Sequence, residues 1–319
     1  MIPLPIPGIA LAGSMLLSRY NQDSTPGKKN KRQFKLPSQR EATPQKSYKA
    51  VNPFENIFRG LSSTLSQLIK GSPREDYAAV VQGFIPAGAR LLKPQYPLGA
   101  GEIQLADVDG DSRNELIASF RHHDELRTVI LKKQSGVWGK SYEINNANYE
   151  AVHYRGLADI TGEGKNQLLL GLFREGSSPY LYGYSIADGN TQQIFSHNYN
   201  KFDLLNLPGG RGNTVRPQLG IWNRNNTGAY DIEVFNWDGS GLRPVSDTFD
   251  YYYRSVVPHW VQRARQEPSS PAVWYNLADA LVKAGVYRDA SVAIEVGLNQ
   301  DRNSEYREKF IELKKSVIK

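Results

Sequence analysis

Two apolar alternating runs, Ile103-Gln104-Leu105-Ala106 and Leu116-Ile117-Ala118-Ser119-Phe120, flank the acidic stretch Asp107-Val108-Asp109-Gly110-Asp111-Ser112-Arg113-Asn114-Glu115. The arrangement recurs. Leu157 to Phe173 aligns with it at an offset of 52 residues, placing Asp159 on Asp107. A weaker third copy runs from Phe202 to Gly212 and resumes at Gln218-Leu219-Gly220-Ile221-Trp222, with Asn206 standing 47 residues after Asp159. Self-similarity at a nearly fixed period constrains the fold more than any single residue does. Each copy is one supersecondary block that can bury its apolar face only on a neighbouring block.

The segment 77–250 reads as β throughout. Strands are predicted at Ala78–Ile85, Arg90–Lys93, Ile103–Asp107, Glu115–Arg121, Thr128–Lys133, Tyr142–Ile144, Ala151–Asp159, Gln167–Phe173, Tyr180–Ile186, Gln192–Ser196, Phe202–Leu207, Gln218–Trp222, Tyr230–Trp237 and Leu242–Val245. Turn signals such as Asp188-Gly189-Asn190 and Asp238-Gly239 separate them. Grouped by the repeat, they form three four-stranded units beginning near residues 103, 154 and 202, with two or three strands of a partial unit ahead. The expected fold class is mainly β, followed by a C-terminal α-helical unit.

Three Asp at alternate positions, a Gly in the bend and a carboxylate at the ninth position suit a hard cation, because Ca²⁺ takes about six to eight oxygens and a sharp turn supplies them from consecutive residues. The spacing is not that of an EF-hand, which has Gly at its sixth position, a bidentate Glu at its twelfth and helices on both sides. These residues resemble the FG-GAP or VCBS repeats of integrin-like β-propellers, whose inter-strand loop carries D-x-D-G-D-x-x-x-[DE]. The resemblance covers about residues 80–250. It implies a partial or small β-propeller of three to four four-stranded blades with a structural Ca²⁺. Asp107, Asp109, Asp111 and Glu115 would be direct ligands, and the Arg113 carbonyl the backbone donor. The second loop offers Asp159, Thr161, Glu163 and Gln167, a set of lower charge, and the third has no Asp in the loop proper and reads as a Gly-rich turn.

The chain has no Cys, which excludes disulfides, thiolate zinc sites and cysteine nucleophiles and leaves the redox compartment open. Its net charge of +7 belongs to the N-terminus: nine of the basic residues and two of the acidic ones lie in residues 1–49, so the rest of the chain is neutral. Residues 1–18 hold an apolar run with three Pro near its start, which reads as a signal or anchor segment or as an apolar tail. Residues 19–49 are a basic linker too poor in apolar groups to fold, either a solvated tether or a contact for a polyanion. In residues 52–70, Phe54, Ile57, Phe58, Leu61, Leu65, Leu68 and Ile69 fall at helical spacing and predict an amphipathic helix.

After Asp250 the period changes to a helical one. Val256–Gln266 is a short helix, and Ser270-Pro271 supplies an N-cap with Pro at the first helical position. Trp274, Leu277, Ala278, Leu281, Gly285, Tyr287, Ala290 and Ile294 match the tetratricopeptide-repeat spacing, with Gly297 where that pattern usually carries Ala. A third helix spans Glu305–Val317, so 256–318 reads as a tetratricopeptide-like domain.

Nothing in the chain spells out an active site. The five His stand in no metal-ligand spacing, and no nucleophile elbow, P-loop or dinucleotide fingerprint is present. By the resemblance, the expected function is that of a non-enzymatic binding or adaptor protein of the cell envelope or exterior. It would meet a protein partner through the propeller face or the helical unit, with membrane association through the N-terminus. Nucleic acid is not the expected partner. The alternatives are a propeller-based carbohydrate-active enzyme, which needs paired carboxylates about 5–10 Å apart, and a cytoplasmic scaffold whose basic arm binds polyanions.

Overall fold

The computed structural model describes residues 75–187, 190–208, 215–225, 229–303 and 305–317. The apolar segment 1–18, the linker 19–49 and the helix at 52–70 lie outside the described residues. The chain divides into a β unit that ends at Ser246 and a helical unit that begins at Asp247.

The β unit opens on helix α1 (Tyr77–Gln82), where the apolar run Ala78–Ile85 predicts a strand. Two local features decide against the strand. Asp76 caps the helix, its Oδ1 accepting the N–H groups of Ala78 and Ala79, both at 3.1 Å. Val81, and Ile85 just beyond the helix, stand four positions apart and are buried together against Leu116, Ala118, Phe120, Val129 and Leu131. That spacing puts two residues on one side of a helical turn. Nor does a partial sheet precede residue 103 among the described residues. The one strand there, β1 (Arg90–Leu92), joins the first sheet.

Among the described residues, thirteen strands form three antiparallel sheets. The first contains β1, β2 (Ile103–Ala106), β3 (Glu115–His122), β4 (Glu125–Gln134) and β5 (Val137–Asn145). Two short strands share one edge of β3 end to end. β2 pairs with its first half, Ile103 opposite Ala118, and β1 with its second half, Arg90 opposite Arg121. The second sheet is β6 (Ala151–Ala158), β7 (Gln167–Phe173), β8 (Tyr180–Ala187) and β9 (Asn190–Asn198). The third is β10 (Lys201–Pro208), β11 (Val215–Arg224), β12 (Tyr230–Trp237) and β13 (Leu242–Pro244). In both, strand order follows chain order.

The sheets stack face to face in that order. On β7, Leu168, Leu170 and Leu172 pack with Ile117 and Ile130 of the first sheet, while Leu169 packs with Phe202, Leu219 and Ile221 of the third. Successive side chains of a strand point to opposite faces, so a central strand with both faces covered must be apolar at every position. Gly171 leaves room for two tyrosines beside β7. A Cβ there would stand 2.0 Å from the Tyr199 hydroxyl and 2.8 Å from Tyr154 Cβ.

One cation lies inside the first interface. Arg155, on β6, is 2% exposed. Its Nη2 donates to the carbonyls of Gly101 and Glu102 at 2.9 and 3.0 Å, and its Nη1 to Ser119 Oγ at 3.4 Å. Its partners are neutral oxygens, so burial is uncompensated by a carboxylate charge and draws its pKa down to about 10.

In the helical unit, α2 (Phe249–Tyr251) continues through a π-helical turn, Tyr252–Val256, into α3 (Val257–Gln266). Then follow α4 (Pro271–Lys283), α5 (Tyr287–Gln300) and α6 (Arg307–Val317), each packed on the one before it. Ser270 caps α4 as the sequence predicts, accepting the Val273 N–H at 3.4 Å. Trp274, Leu277, Ala278 and Leu281 of α4, Ala290, Ala293 and Ile294 of α5 and Phe310 of α6 are all buried.

Candidate metal site

The acidic stretch forms the turn between β2 and β3. Asp107 organises it: Oδ1 accepts the Gly110 N–H at 2.7 Å and Oδ2 the Ser112 N–H at 2.9 Å. Gly110 and Ser112 adopt φ of 79° and 66°, which bends the backbone back toward the Asp107 carboxylate. Asp109 Oδ1 accepts the Asp111 N–H at 3.3 Å, and Asp111 Oδ1 the Arg113 N–H at 2.9 Å. These are local side-chain-to-backbone bonds of the kind that Asp makes in turns.

Glu115 closes the loop at the first position of β3 and is 1% exposed. Its Oε2 accepts the Val108 N–H at 3.0 Å, whereas its Oε1 is buried without a partner. Carboxylate oxygens of Asp107, Asp109 and Glu115 lie within 4.8 Å of one another. Burial pushes the Glu115 carboxyl up to about 7; the Val108 N–H works against this and the Asp109 charge adds to it.

Of the five expected ligands, the structure thus gathers Asp107, Asp109 and Glu115. Asp111 is turned to another cation. Lys132 Nζ, on β4, pairs with Asp109 Oδ2 and, at 2.8 Å, with Asp111 Oδ2. The bonds to Asp109 and then Asp111 raise the Lys132 pKa, and the bond from Lys132 is the main cause that lowers that of Asp111. Arg113 enters the loop through its N–H.

The second loop repeats the first almost bond for bond. Asp159 Oδ1 accepts the Gly162 N–H at 2.7 Å and Oδ2 the Gly164 N–H at 2.8 Å, as Asp107 does with Gly110 and Ser112. Gln167 stands where Glu115 stands, and its Oε1 accepts the Ile160 N–H at 2.6 Å. The difference lies in the other end of the side chain. Gln167 Nε2 donates to the Lys165 carbonyl at 2.8 Å and to Thr161 Oγ1 at 3.4 Å. In the first loop, the positions of Thr161 and Lys165 belong to Asp109 and Arg113. The second loop's amide NH₂ thus finds its acceptors within the turn, whereas the corresponding oxygen in the first, Glu115 Oε1, has none. Among the described residues, the expected set Asp159, Thr161, Glu163 and Gln167 is a hydrogen-bonded turn. The Pro208–Gly212 stretch of the third copy lies largely outside the described residues.

Lys132 is the residue that reading along the chain misses. β3 and β4 join through a two-residue turn, His123-Asp124, with His122 opposite Glu125 and Leu116 opposite Leu131. One step further, that register sets Lys132 opposite Glu115. Counting outward from the turn would have found it. No protein-family model matches the chain, and no curated protein sequence matches it.

Proposed function

We propose that this chain is a non-enzymatic binding protein of the cell envelope or exterior, built on a small or partial β-propeller of the FG-GAP/VCBS kind. The three sheets would be its blades. Ca²⁺ would be a structural ion of the first loop, and the tetratricopeptide-like helices or the propeller face would receive a protein partner. The observation that carries the reading is Glu115 Oε1. A buried carboxylate oxygen with no hydrogen bond is costly unless a proton or a cation meets it. Oxygens of Asp107 and Asp109 stand within 4.8 Å to complete a hard-cation site. An ion held there would tie the end of β2 to the start of β3.

The blade reading is supported by the repeated meander, its stacking in chain order and the recurrence of one loop at one place in two sheets. An envelope or extracellular location follows from the calcium that such a loop would need, at the millimolar level typical of extracellular modules. No helix among the described residues is long and apolar enough to cross a membrane, so membrane attachment is assigned to residues 1–18. The carbohydrate-active alternative is less well supported at this loop. Glu115 has the raised pKa of a general acid, but at 1% exposure it lies beyond the reach of a sugar.

The test is thermal unfolding of the full chain in CaCl₂ and in EGTA, for the wild type and Glu115→Gln. Ca²⁺ should raise the melting temperature of the wild type by several degrees and leave that of the variant unmoved, because a ligand that binds only the folded state must stabilise it. Superimposable wild-type curves would remove the metal from the proposal and with it the main argument for a calcium-rich location.

A further inference from the structure

We infer that Lys132 is a tethered cation built into the first loop, which holds the place of the divalent ion and must be displaced before that ion binds. The inference rests on the metal reading above and assigns its regulation: occupancy is a competition between an intramolecular ammonium and a free divalent cation.

Three observations lead to it. The first is geometric. Both oxygens of Asp109 are engaged, Oδ1 by the Asp111 N–H and Oδ2 by Lys132 Nζ, and the same ammonium holds Asp111 Oδ2 at 2.8 Å. A metal that uses Asp109 together with Asp107 and Glu115 would bind a carboxylate whose charge Lys132 already pairs. The pair is sheltered, with side-chain exposures of 17% for Lys132 and 13% for Asp109, so solvent screens it less than a surface ion pair. A divalent charge arriving beside that ammonium would repel it across a short, poorly screened distance.

The second observation comes from comparing the two loops. Continued one pair beyond Leu116 and Leu131, the register of the first sheet sets Lys132 opposite Glu115. Continued one pair beyond Leu168 and Tyr184, that of the second sets Ser185 opposite Gln167. The acid has a cation across the ladder, and the amide has a neutral hydroxyl. The buried acid and the lysine across the ladder from it occur together in the first sheet, and both positions are neutral in the second, Gln167 and Ser185, as expected if the lysine is there to balance that acid.

The third is the bulge in the β4–β5 pairing between Ile130 and Leu131. It sets Leu131 opposite Lys140 and Lys132 opposite Gly139. Without it, the register from Ile130 and Tyr142 would bring Lys140 opposite Lys132. Two ammonium groups across a strand pair are unfavourable, and the irregularity leaves Lys132 free to turn to the loop. Bulges that re-aim a side chain are a recurrent device next to binding sites.

The proposal predicts that Lys132→Met binds Ca²⁺ more tightly than the wild type, on the order of tenfold in dissociation constant at fixed ionic strength, by calorimetric titration of the full chain. In EGTA the same variant should melt at a lower temperature, since its carboxylates then lack a counter-ion. A second measurement needs no variant. Amine acetylation of the wild type, read by peptide mass spectrometry with the adjacent Lys133 as internal reference, should label Lys132 several-fold faster when Ca²⁺ is added, because displacement exposes it.

Tighter binding by the variant and faster labelling of Lys132 in Ca²⁺ are the expected results. Equal Ca²⁺ affinity in the two proteins, or labelling of Lys132 that does not change while the titration shows Ca²⁺ binding, would overturn the tethered-cation role and leave the metal site standing. Absence of Ca²⁺ binding by both proteins would overturn the metal reading itself, and this inference with it.

Discussion

A Cβ built on Gly297 would stand 2.1 Å from Cζ of Phe310 and 2.6 Å from its Cε1. The two residues belong to α5 and α6, and the Phe310 ring is fully buried. The tetratricopeptide pattern usually has Ala at this position, and the loss of one methyl lets the next helix lay an aromatic ring directly on the α5 backbone. Gly→Ala inside a helix ordinarily stabilises by about 1 kcal/mol. Here the sign should reverse: Gly297→Ala is expected to cost roughly 1–3 kcal/mol through overpacking, and Phe310→Leu in the same chain should recover part of the loss. Urea unfolding of the single and double variants decides the matter, and a more stable Gly297→Ala would show that the ring yields.

Glu115 should impose a pH dependence of unusual sign on the metal-free protein. Its folded pKa of about 7 lies above the ordinary carboxylate value of 4.5. The folded state therefore holds the proton more tightly than the unfolded state does. Stability from this group is full below about pH 4.5 and is lost as the pH rises toward 7, a change on the order of 3 kcal/mol. Glu115→Gln carries no such group, so in EGTA its advantage over the wild type should grow between pH 5 and 8 and then level off. Melting curves that keep a constant offset across that range would refute the raised value.

Asp159 should matter equally with and without calcium. Its carboxylate accepts the N–H groups of Gly162, Glu163 and Gly164 and the Thr161 hydroxyl. Asp159→Ala is expected to lose about 1–2 kcal/mol, moderated because the freed donors can reach water. The loss should be the same in EGTA and in CaCl₂. A loss that Ca²⁺ abolishes or doubles would mean that the second loop also takes up the ion.

Arg155 should not be replaceable by Lys. Arg155→Met leaves the Gly101 and Glu102 carbonyls without their buried donors and should cost about 3 kcal/mol. Arg155→Lys keeps the charge but not the planar fork that reaches two carbonyls and a hydroxyl at once, so a similar loss is expected. If Lys restores wild-type stability in denaturant titration, the charge rather than the fork is what the interface requires.

The strands were the legible part of this chain. The sequence reading of Gln167–Phe173 matches the strand residue for residue, because polar, Gly-containing turns at 164–166 and 174–176 bound a short apolar run of the right length. The acidic loops were legible because Asp, Gly and Glu recur at fixed offsets. Ala78–Ile85 misled, since a six-residue helix with two Val has β-like composition, and only the Asp76 cap and the four-residue spacing of Val81 and Ile85 give it away. Lys132 was invisible for a different reason. It meets Asp109 across 23 residues of chain, and that proximity exists only once the register of β3 and β4 is known. Gly297 could be noticed as a departure but not explained, because its partner ring arrives from a helix that the repeat pattern does not specify.

Arg155 also sets an order of events during synthesis. Its guanidinium bonds carbonyls 54 and 53 positions earlier in the chain. A ribosome releases α1 and the whole first sheet before it releases the residue that plugs their inner face. Between the emergence of Asn145 and that of Phe173, the nascent chain displays Ile117 and Ile130 with no layer to cover them. Slow translation over that interval leaves an uncovered apolar sheet, and there a chaperone has something to hold.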